Sequence, residues 1–280
     1  MSILLALSSA LIYGVADWCG GRASRFHPSP IVTVVGQAVS LVLIMAAVAV
    51  IGTPVPPATT LAWGMLAGAS GAVGLASLYY AFANGSMTVV APISAVVGAV
   101  LPVLVGITDG ERPEPIAYAG IATAIAAVAL VSGAVGTRDA PTPLRIVWFA
   151  VLAGLGFGVL FAALDRTADS SGLWPLVAAR AASVPLLLVI VAVTGSRVGR
   201  QRRQLRVAVA AGGLDMAANV LYLEAVRGGL LSLVAVVSSL YPASTVMLAF
   251  AIDRERVNRW QSVGMALAAV ALVLVTLGRG

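Results

Sequence analysis

Charged side chains are scarce in this chain of 280 residues. Only 10% of the residues are charged, 17 of them basic and 11 acidic, against about 25% in an average soluble domain. Hydrophobic residues make up 60% of the chain, and its mean hydropathy is +1.01. So few charges cannot cover the surface of a soluble protein of this size. The composition excludes soluble enzymes and disordered proteins and predicts an all-α integral membrane protein.

Several chemistries are excluded by residues that are rare or missing. Lysine is absent, and Cys19 and His27 are the single cysteine and the single histidine. These two residues supply neither an intramolecular disulfide, nor a zinc site, nor a nucleophile with its base. The sequence therefore predicts no metal and no cofactor, and a membrane-embedded enzyme is only a remote alternative. The arginines stand mostly in short gaps between apolar runs, where they hold helix ends at lipid headgroups, which argues against nucleic acid as a partner.

Ten apolar runs are long enough to cross a bilayer as helices. A hydrocarbon core of about 30 Å needs about 20 apolar residues, and these runs lack the alternation of β-barrel strands. The first run has no basic segment before it, unlike a signal peptide, so we expect it to remain as a transmembrane helix. The predicted spans are 3–20, 30–51, 61–83, 87–107, 115–135, 145–164, 173–194, 205–226, 230–251 and 259–278.

A pattern of charged residues occurs twice along the chain. Asp109-Gly110-Glu111-Arg112 and Asp253-Arg254-Glu255-Arg256 share the pattern D-x-E-R at a separation of 144 residues. The same separation aligns Tyr13-Gly14 with Phe157-Gly158. We expect the two D-x-E-R turns to cap helices and to anchor loops, and we expect the chain to consist of two related halves.

Each predicted half, 1–136 or 145–280, contains five of the predicted helices. Because five is odd, the second half must enter the membrane upside down relative to the first. The sequence therefore predicts ten transmembrane helices as two inverted five-helix repeats. Inverted repeats are the plan of many secondary transporters, which hold their substrate near the midplane between the halves.

Two local signatures accompany this plan, Tyr13-Gly14-Val15-Ala16-Asp17-Trp18 in the first predicted helix and a proline-containing run at 232–242 in the ninth. With the two five-helix halves and a G-E-R-type turn after the fourth helix of each, the whole chain resembles the EamA-type branch of the drug/metabolite transporter superfamily. Many members of that branch carry Glu directly before the ninth-helix proline, where this chain has Tyr241. The resemblance implies export or uptake of small organic solutes, and a cavity lined largely by helices 1, 3, 4, 6, 8 and 9.

The resulting functional hypothesis is a secondary active transporter that works by alternating access. Its substrates would be small organic solutes such as amino acids or related metabolites, with export favoured over import and proton coupling left open. A facilitative channel and a multidrug or toxic-compound efflux carrier are the alternatives. The expected partners are the small-molecule substrate, the lipid bilayer and, if transport is coupled to them, protons. Both a monomer and a homodimer stay open.

The arginines fall unevenly on the two sides of the predicted bundle. Twelve stand at gaps that follow odd-numbered helices, and four stand on the opposite side. Because positive charge gathers in cytoplasmic loops, this count favours both termini outside the cytoplasm. The resemblance instead implies both termini inside. We expect a multi-pass protein of the cell (inner) membrane, with both orientations open at this point.

Ionisable residues inside the predicted helices are the first site candidates, because a charge in a membrane helix costs several kcal/mol. Apart from arginines at the first two positions of a span, they are Asp17, Arg180, Asp215 and Glu224. The alternative for each is an ion pair that fixes helix contacts, and Glu224 has Arg227 within reach for that purpose. Asp215 and Arg180 lie nearest the midplane, and Asn219 and Tyr222 share the helix face of Asp215 by their i+4 and i+7 spacing.

The predicted substrate site combines these residues with polar and aromatic side chains from other helices. The full set is Asp215, Asn219, Tyr222, Arg180, Tyr13, Asp17, Trp18, Tyr79, Tyr80, Ser238, Ser239 and Tyr241. The aromatic residues have interface anchoring as an alternative role, and the serines have hydrogen bonds to backbone carbonyls. The candidates for proton coupling are Asp215, Asp17 and Glu224. The prolines Pro92 and Pro242 interrupt the fourth helix of each half, and each is either a hinge or a static kink.

Overall fold

The computed structural model describes residues 2–108, 115–131, 142–199, 201–228, 238, 241–255 and 259–277. Within these residues the chain forms ten α-helices, one short 3-10 helix and no β-strand. The α-helices are α1 (Ser2–Ser24), α2 (Ser29–Ile51), α3 (Ala58–Asn84), α4 (Met87–Thr108), α5 (Pro115–Val131), α6 (Leu144–Asp165), α7 (Trp174–Thr194), α8 (Arg202–Gly228), α9 (Pro242–Ala251) and α10 (Arg259–Leu277). Each predicted span overlaps one of them, and the all-α class is confirmed.

Six of these helices are long and apolar enough to cross a membrane, namely α1, α2, α3, α6, α7 and α8. In lipid a backbone must satisfy its own hydrogen bonds, which an α-helix does within one segment. Large apolar side chains such as Val50, Val42 and Leu144 are exposed on the outside of the bundle. Such side chains suit contact with lipid tails, and the chain is a multi-pass membrane protein.

Proline and glycine set the ends of several helices. The helices α2 and α7 both carry a proline in their first turn, where the missing backbone N–H is not needed. The residues directly after these helices are Gly52 and Gly195, whose φ angles are 72° and 61°. Glycine adopts this left-handed conformation without a steric penalty, and its N–H then satisfies a carbonyl of the last helical turn. These signals keep the connections between helices short.

The helix contacts occur in matched pairs. The helix α3 packs on α6 as α1 packs on α8, α3 packs on α7 as α2 packs on α8, and α4 packs on α6 as α1 packs on α9. Each helix of one half corresponds to the helix five places away in the other half, α1 to α6, α2 to α7 and so on. Replacing both helices of a contact by their counterparts gives the other contact of the pair. The remaining large contacts, α2 with α7 and α5 with α10, each join two corresponding helices.

Close helix contacts depend on glycine at equivalent positions of α3 and α8. A methyl group on Gly68 would overlap the backbone of Ala179 in α7, and one on Gly212 would overlap the backbone of Gly36 in α2. Gly68 and Gly212 lie 144 residues apart, the separation of the two D-x-E-R patterns. Small residues let membrane helices approach closely, and van der Waals contact then stabilises the pair.

Candidate functional site

A cavity lies between the middle segments of the helices. Gly71 and Asp215, the middle residues of α3 and α8, both face it. Its empty volume is about 470 Å³, its opening to the outside included. The lining residues are Tyr13, Asp17, Gln37, Gly71, Leu75, Phe157, Leu160, Phe161, Asp215, Asn219 and Tyr241.

Equivalent positions of α1 and α6, and of α3 and α8, line this cavity together. The pairs that lie 144 residues apart are Tyr13 with Phe157, Asp17 with Phe161, Gly71 with Asp215, and Leu75 with Asn219. Within each helix these residues are four apart, so they share one helix face. The two carboxylates have an aromatic ring and a glycine as their counterparts. The two halves therefore contribute corresponding positions to the lining, but the residue types at these positions differ in charge.

Asp215 is held in a buried ion pair. The Arg180 guanidinium of α7 donates from Nη2 to Oδ2 of Asp215 over 2.8 Å. Asn219 donates from Nδ2 to the backbone oxygen of Asp215, also over 2.8 Å. Arg180 is buried beside Asp215 and outside the cavity lining. The pair neutralises Asp215, as one of the two sequence interpretations proposed.

Asp17 faces the same cavity without a partner. It is 6% exposed, and within the described part of the chain no hydrogen bond or ion pair reaches its carboxylate. A buried carboxylate that remains charged needs a cation, because the low-dielectric interior of a membrane protein penalises an isolated charge. Asp17 is therefore the acidic group of the cavity that is available to a proton or to a cationic ligand.

Gln37 of α2 is a lining residue that the sequence analysis missed. Ser183 of α7 donates to Oε1 of Gln37 over 2.9 Å, and both side chains are buried. The amide NH2 group has no hydrogen-bond partner among the described residues, and Gln37 also lines a smaller adjoining cavity of about 200 Å³. Gln37 is the only amide side chain in the apolar run of α2. A single amide in an otherwise apolar helix could have identified Gln37 as a site candidate.

Aromatic rings form one wall of the cavity. The rings of Tyr13 and Phe161 meet edge to face at 6.5 Å, and Phe157 meets Tyr241 in the same way at 6.5 Å. Tyr222 lies behind the wall, with its ring 4.7 Å from that of Phe161. Tyr222 is buried outside the lining, so it supports a lining residue. The sequence analysis named the three tyrosines and missed the two phenylalanines.

Trp18 lies outside the cavity lining, in the C-terminal half of α1. Its indole Nε1 donates to Oδ2 of Asp253 over 2.7 Å, and Arg22 stacks on its ring. Glu224 is also outside the lining and pairs with Arg227 over 3.2 Å at a half-exposed position. Of the three proposed proton-coupling residues, the structure thus brings Asp17 and Asp215 together and leaves Glu224 apart.

The remaining predicted residues are spread over several positions. Tyr79 is buried and lines the smaller cavity, whereas Tyr80 stacks on Phe149 with a ring distance of 4.3 Å. Ser238 is buried, and Ser239 lies outside the described residues. The helix α2 contributes to the cavity although the resemblance did not imply it, and α4 is absent from the described lining.

The two hinge candidates occupy different places in their helices. Pro92 is buried inside α4, and Pro242 is the first residue of α9. Proline has no backbone N–H, so a helix tolerates it well in its first turn and poorly in its interior. The hinge role of both residues stays a prediction.

The second D-x-E-R turn caps a distant helix. Glu255 accepts hydrogen bonds from Oγ of Ser86 over 2.6 Å and from the backbone N–H groups of Met87 and Thr88 at the start of α4, over 3.1 and 3.0 Å. It also pairs with Arg25 over 3.0 Å. Burial alone would raise the pKa of Glu255, but these hydrogen bonds outweigh it and lower the pKa.

Asp253 ties the same turn to α1, through Trp18 and through Arg22 at 3.2 Å. The expected capping and anchoring roles therefore hold for this turn, and the turn at 109–112 lies outside the described residues. Among the residues that the structure describes, no group of three or more His, Cys, Asp or Glu side chains is placed to hold a metal ion.

The family model of the EamA-like transporter family matches this chain twice, at residues 1–133 and 144–277. The chain belongs to the EamA-like transporter family. The resemblance read from the sequence is confirmed, and membership makes the chain a membrane transporter rather than an enzyme. One solved crystal structure, described only as that of a protein, matches with a TM-score of 0.65 and 16% identity, over 100% of this chain and 99% of that one. That likeness shows the fold of this EamA-like chain. Among curated proteins no match is found.

Proposed function

We propose that this EamA-like protein is a secondary active transporter that exports small organic solutes, such as amino acids or related metabolites, by alternating access. The observation that carries the proposal is the mid-bundle cavity. It is lined from both halves and contains one carboxylate in an ion pair and one without a partner among the described residues. A transporter needs a site of this kind that each side of the membrane reaches in turn.

Ten transmembrane helices in two inverted repeats, 1–136 and 145–280, form the proposed framework. The double match of the family model supports it, as do the matched helix contacts and the lining residues that lie 144 residues apart. If the two halves exchange conformations, a cavity between them opens to the opposite side of the membrane. Pro92 and Pro242 are the proposed hinges of this exchange.

The proposed substrate site consists of the predicted residues that line the cavity, with Gln37 added. These residues are Tyr13, Asp17, Asp215, Asn219 and Tyr241, and Arg180 holds Asp215 from behind. For proton coupling we propose Asp17 as the carrier group, because Arg180 already compensates the charge of Asp215. Glu224 is not part of this site, since it pairs with Arg227 outside the cavity.

Counterflow in proteoliposomes tests the function. The purified protein is reconstituted with an unlabelled solute inside, and entry of the labelled solute is followed for amino acids, amines and aromatic metabolites. A carrier shows faster entry when the inside is loaded, whereas a channel shows no such acceleration. Asp17→Asn should abolish the acceleration, and Asp165→Asn, at the exposed end of α6, should retain it. Solute flux without acceleration by internal solute would refute the carrier.

The arginine distribution also supports one orientation of the protein in the cell (inner) membrane. We propose that both termini lie outside the cytoplasm, because twelve arginines flank the side where α1 ends and four flank the other. A C-terminal alkaline phosphatase fusion is then active, and a C-terminal fluorescent protein that needs the cytoplasm to mature is dark. The opposite pair of results would place both termini inside.

A further inference from the structure

We propose that the cavity selects solutes with one net positive charge on an aromatic or apolar body. This inference rests on the proposed transport function and names the charge class of its substrate. It comes from two properties of the lining, the sum of its charges and the nature of its walls.

In its ionised form, Asp17 gives the described lining one negative charge that no lining residue compensates. Arg180 and Asp215 are 2.8 Å apart and cancel each other. Asp17 is the remaining ionisable acid of the lining, and its carboxylate has no cationic partner within the described residues. A solute with one positive charge neutralises this carboxylate. With a neutral solute in the cavity, Asp17 has to bind a proton or remain charged without a partner. Opposite charges that meet in a low dielectric attract far more strongly than they do in water.

Anions have no free cation to meet in the described lining. Arg180 lies outside the lining, and its Nη2 donates to Asp215. Its Nε has no partner among the described residues, but it is fully buried and does not reach the cavity. A solute carboxylate would therefore add a second negative charge beside Asp17. This argument disfavours acids and gives zwitterions no advantage over simple amines.

The walls suit an apolar or aromatic body. Phe157, Phe161 and Tyr241 expose rings to the cavity, and Leu75 and Leu160 add aliphatic surface. A cation that approaches the face of an aromatic ring is attracted by the ring quadrupole. Phe161 is the counterpart of Asp17 at the separation of 144 residues. The charged end and the apolar body of one solute would thus have their complementary groups on α1 and α6.

A matched series of phenyl compounds tests this inference. Phenethylamine and benzyltrimethylammonium are cations, phenylalanine is a zwitterion, 3-phenylpropionate is an anion and 2-phenylethanol is neutral. Binding to the detergent-purified protein is measured by the shift of its melting temperature and by isothermal titration at pH 7. We expect both cations to bind at least about tenfold more tightly than the other three compounds, a difference of about 1.4 kcal/mol. Equal or tighter binding of the zwitterion or the anion would overturn the inference.

Variants of Asp17 test whether this residue causes the preference for cations. Asp17→Asn keeps the size of the side chain and removes its charge, so it should weaken both cations about tenfold or more and leave 2-phenylethanol unchanged. Asp17→Glu should retain preference for the cations, and Asp165→Asn should bind all five compounds as the unaltered protein does. The melting temperature without ligand shows that each variant is folded. Cation binding that is unaffected by Asp17→Asn would refute the role of Asp17.

Transport separates this inference from the function on which it rests. If the proteoliposomes carry phenylalanine with acceleration by internal solute and do not carry phenethylamine, the transport function stands and the cation inference fails. If no member of the series and none of the amino acids moves with such acceleration, the proposed function itself fails. Counterflow of phenethylamine that depends on Asp17 supports both.

Discussion

Arg180 and Asp215 meet at 2.8 Å inside the helix bundle, Asp215 being the middle residue of α8. Both residues were identified in the sequence as charges within apolar runs. In the structure they form one neutral pair. Asp215 and Asp17 both line the cavity, but the Asp17 carboxylate has no partner among the described residues. The distinction between a paired and an unpaired carboxylate decides which residue interacts with a cationic solute.

The first prediction concerns the coupling of this ion pair. Arg180→Met and Asp215→Asn should each lower the apparent free energy of unfolding in detergent by about 3–5 kcal/mol, because each leaves a buried polar group without its partner. The double variant should lose clearly less than the two single losses together. Thermal unfolding of the four proteins gives the coupling energy. Strictly additive losses would show that the two residues do not stabilise each other.

The second prediction compares two neighbouring glycines of α8. Gly212→Ala should destabilise the protein by about 1–3 kcal/mol, since the added methyl group overlaps the backbone of Gly36. Gly213→Ala meets only Leu43 at 3.8 Å and should be neutral or stabilising by up to about 1 kcal/mol, because alanine favours the helix. Gly68→Ala, at the equivalent position of α3, should behave as Gly212→Ala does. Melting temperatures in one detergent decide the order, and equal effects at 212 and 213 would contradict it.

The helices and the central charges were predictable because their signals are local. Hydropathy identified each span to within a few residues, apart from the start of the ninth, where the described helix begins at Pro242. The i, i+4 spacing correctly put Asp215 and Asn219 on one face. The search for ionisable residues inside the predicted spans also singled out Asp17. None of these steps requires knowledge of which helices touch.

The rest of the site depends on which helices meet, and a single sequence does not state that. Gln37 was missed because α2 had no sequence reason to approach α8, although the two helices pack together. Phe157 and Phe161 are indistinguishable from lipid-facing phenylalanines by spacing alone. Trp18 was included in the site, whereas its indole N–H bonds to Asp253, which is 235 residues away. Such errors come from tertiary contacts rather than from misread helices.

The third prediction concerns the pH dependence of stability at Glu255. Hydrogen bonds from Ser86, Met87 and Thr88 lower the pKa of Glu255 in the folded protein below its ordinary value of 4.5. The native state therefore favours the ionised form, and this stabilisation is present above pH 4.5 and is lost as the pH falls through the lowered pKa. Between pH 7 and pH 3 the melting temperature should fall more steeply for the unaltered protein than for Glu255→Gln.

A matched control for Glu255 is Glu224→Gln, which breaks a half-exposed ion pair with Arg227. Exposed pairs contribute about 0–1 kcal/mol, so at pH 7 this variant should lose less stability than Glu255→Gln does. If Glu255→Gln leaves both the melting temperature at pH 7 and its pH dependence unchanged, then the turn at 253–255 does not stabilise α4.

The fourth prediction concerns His27, which forms hydrogen bonds to the segment between α7 and α8. Its Nδ1 accepts the backbone N–H of Gly199 over 3.0 Å, and its Nε2 donates to the backbone oxygen of Gln201 over 3.1 Å. His27→Ala removes both bonds, so the exposed bonds after Arg197 and Arg202 should become more accessible to trypsin. Cleavage there should accelerate several-fold on a gel. Among the described residues, the Asn84 amide donates only to a backbone oxygen of its own helix. Asn84→Ala should therefore be cut as slowly as the unaltered protein. Equal rates in all three proteins would exclude the proposed role of His27.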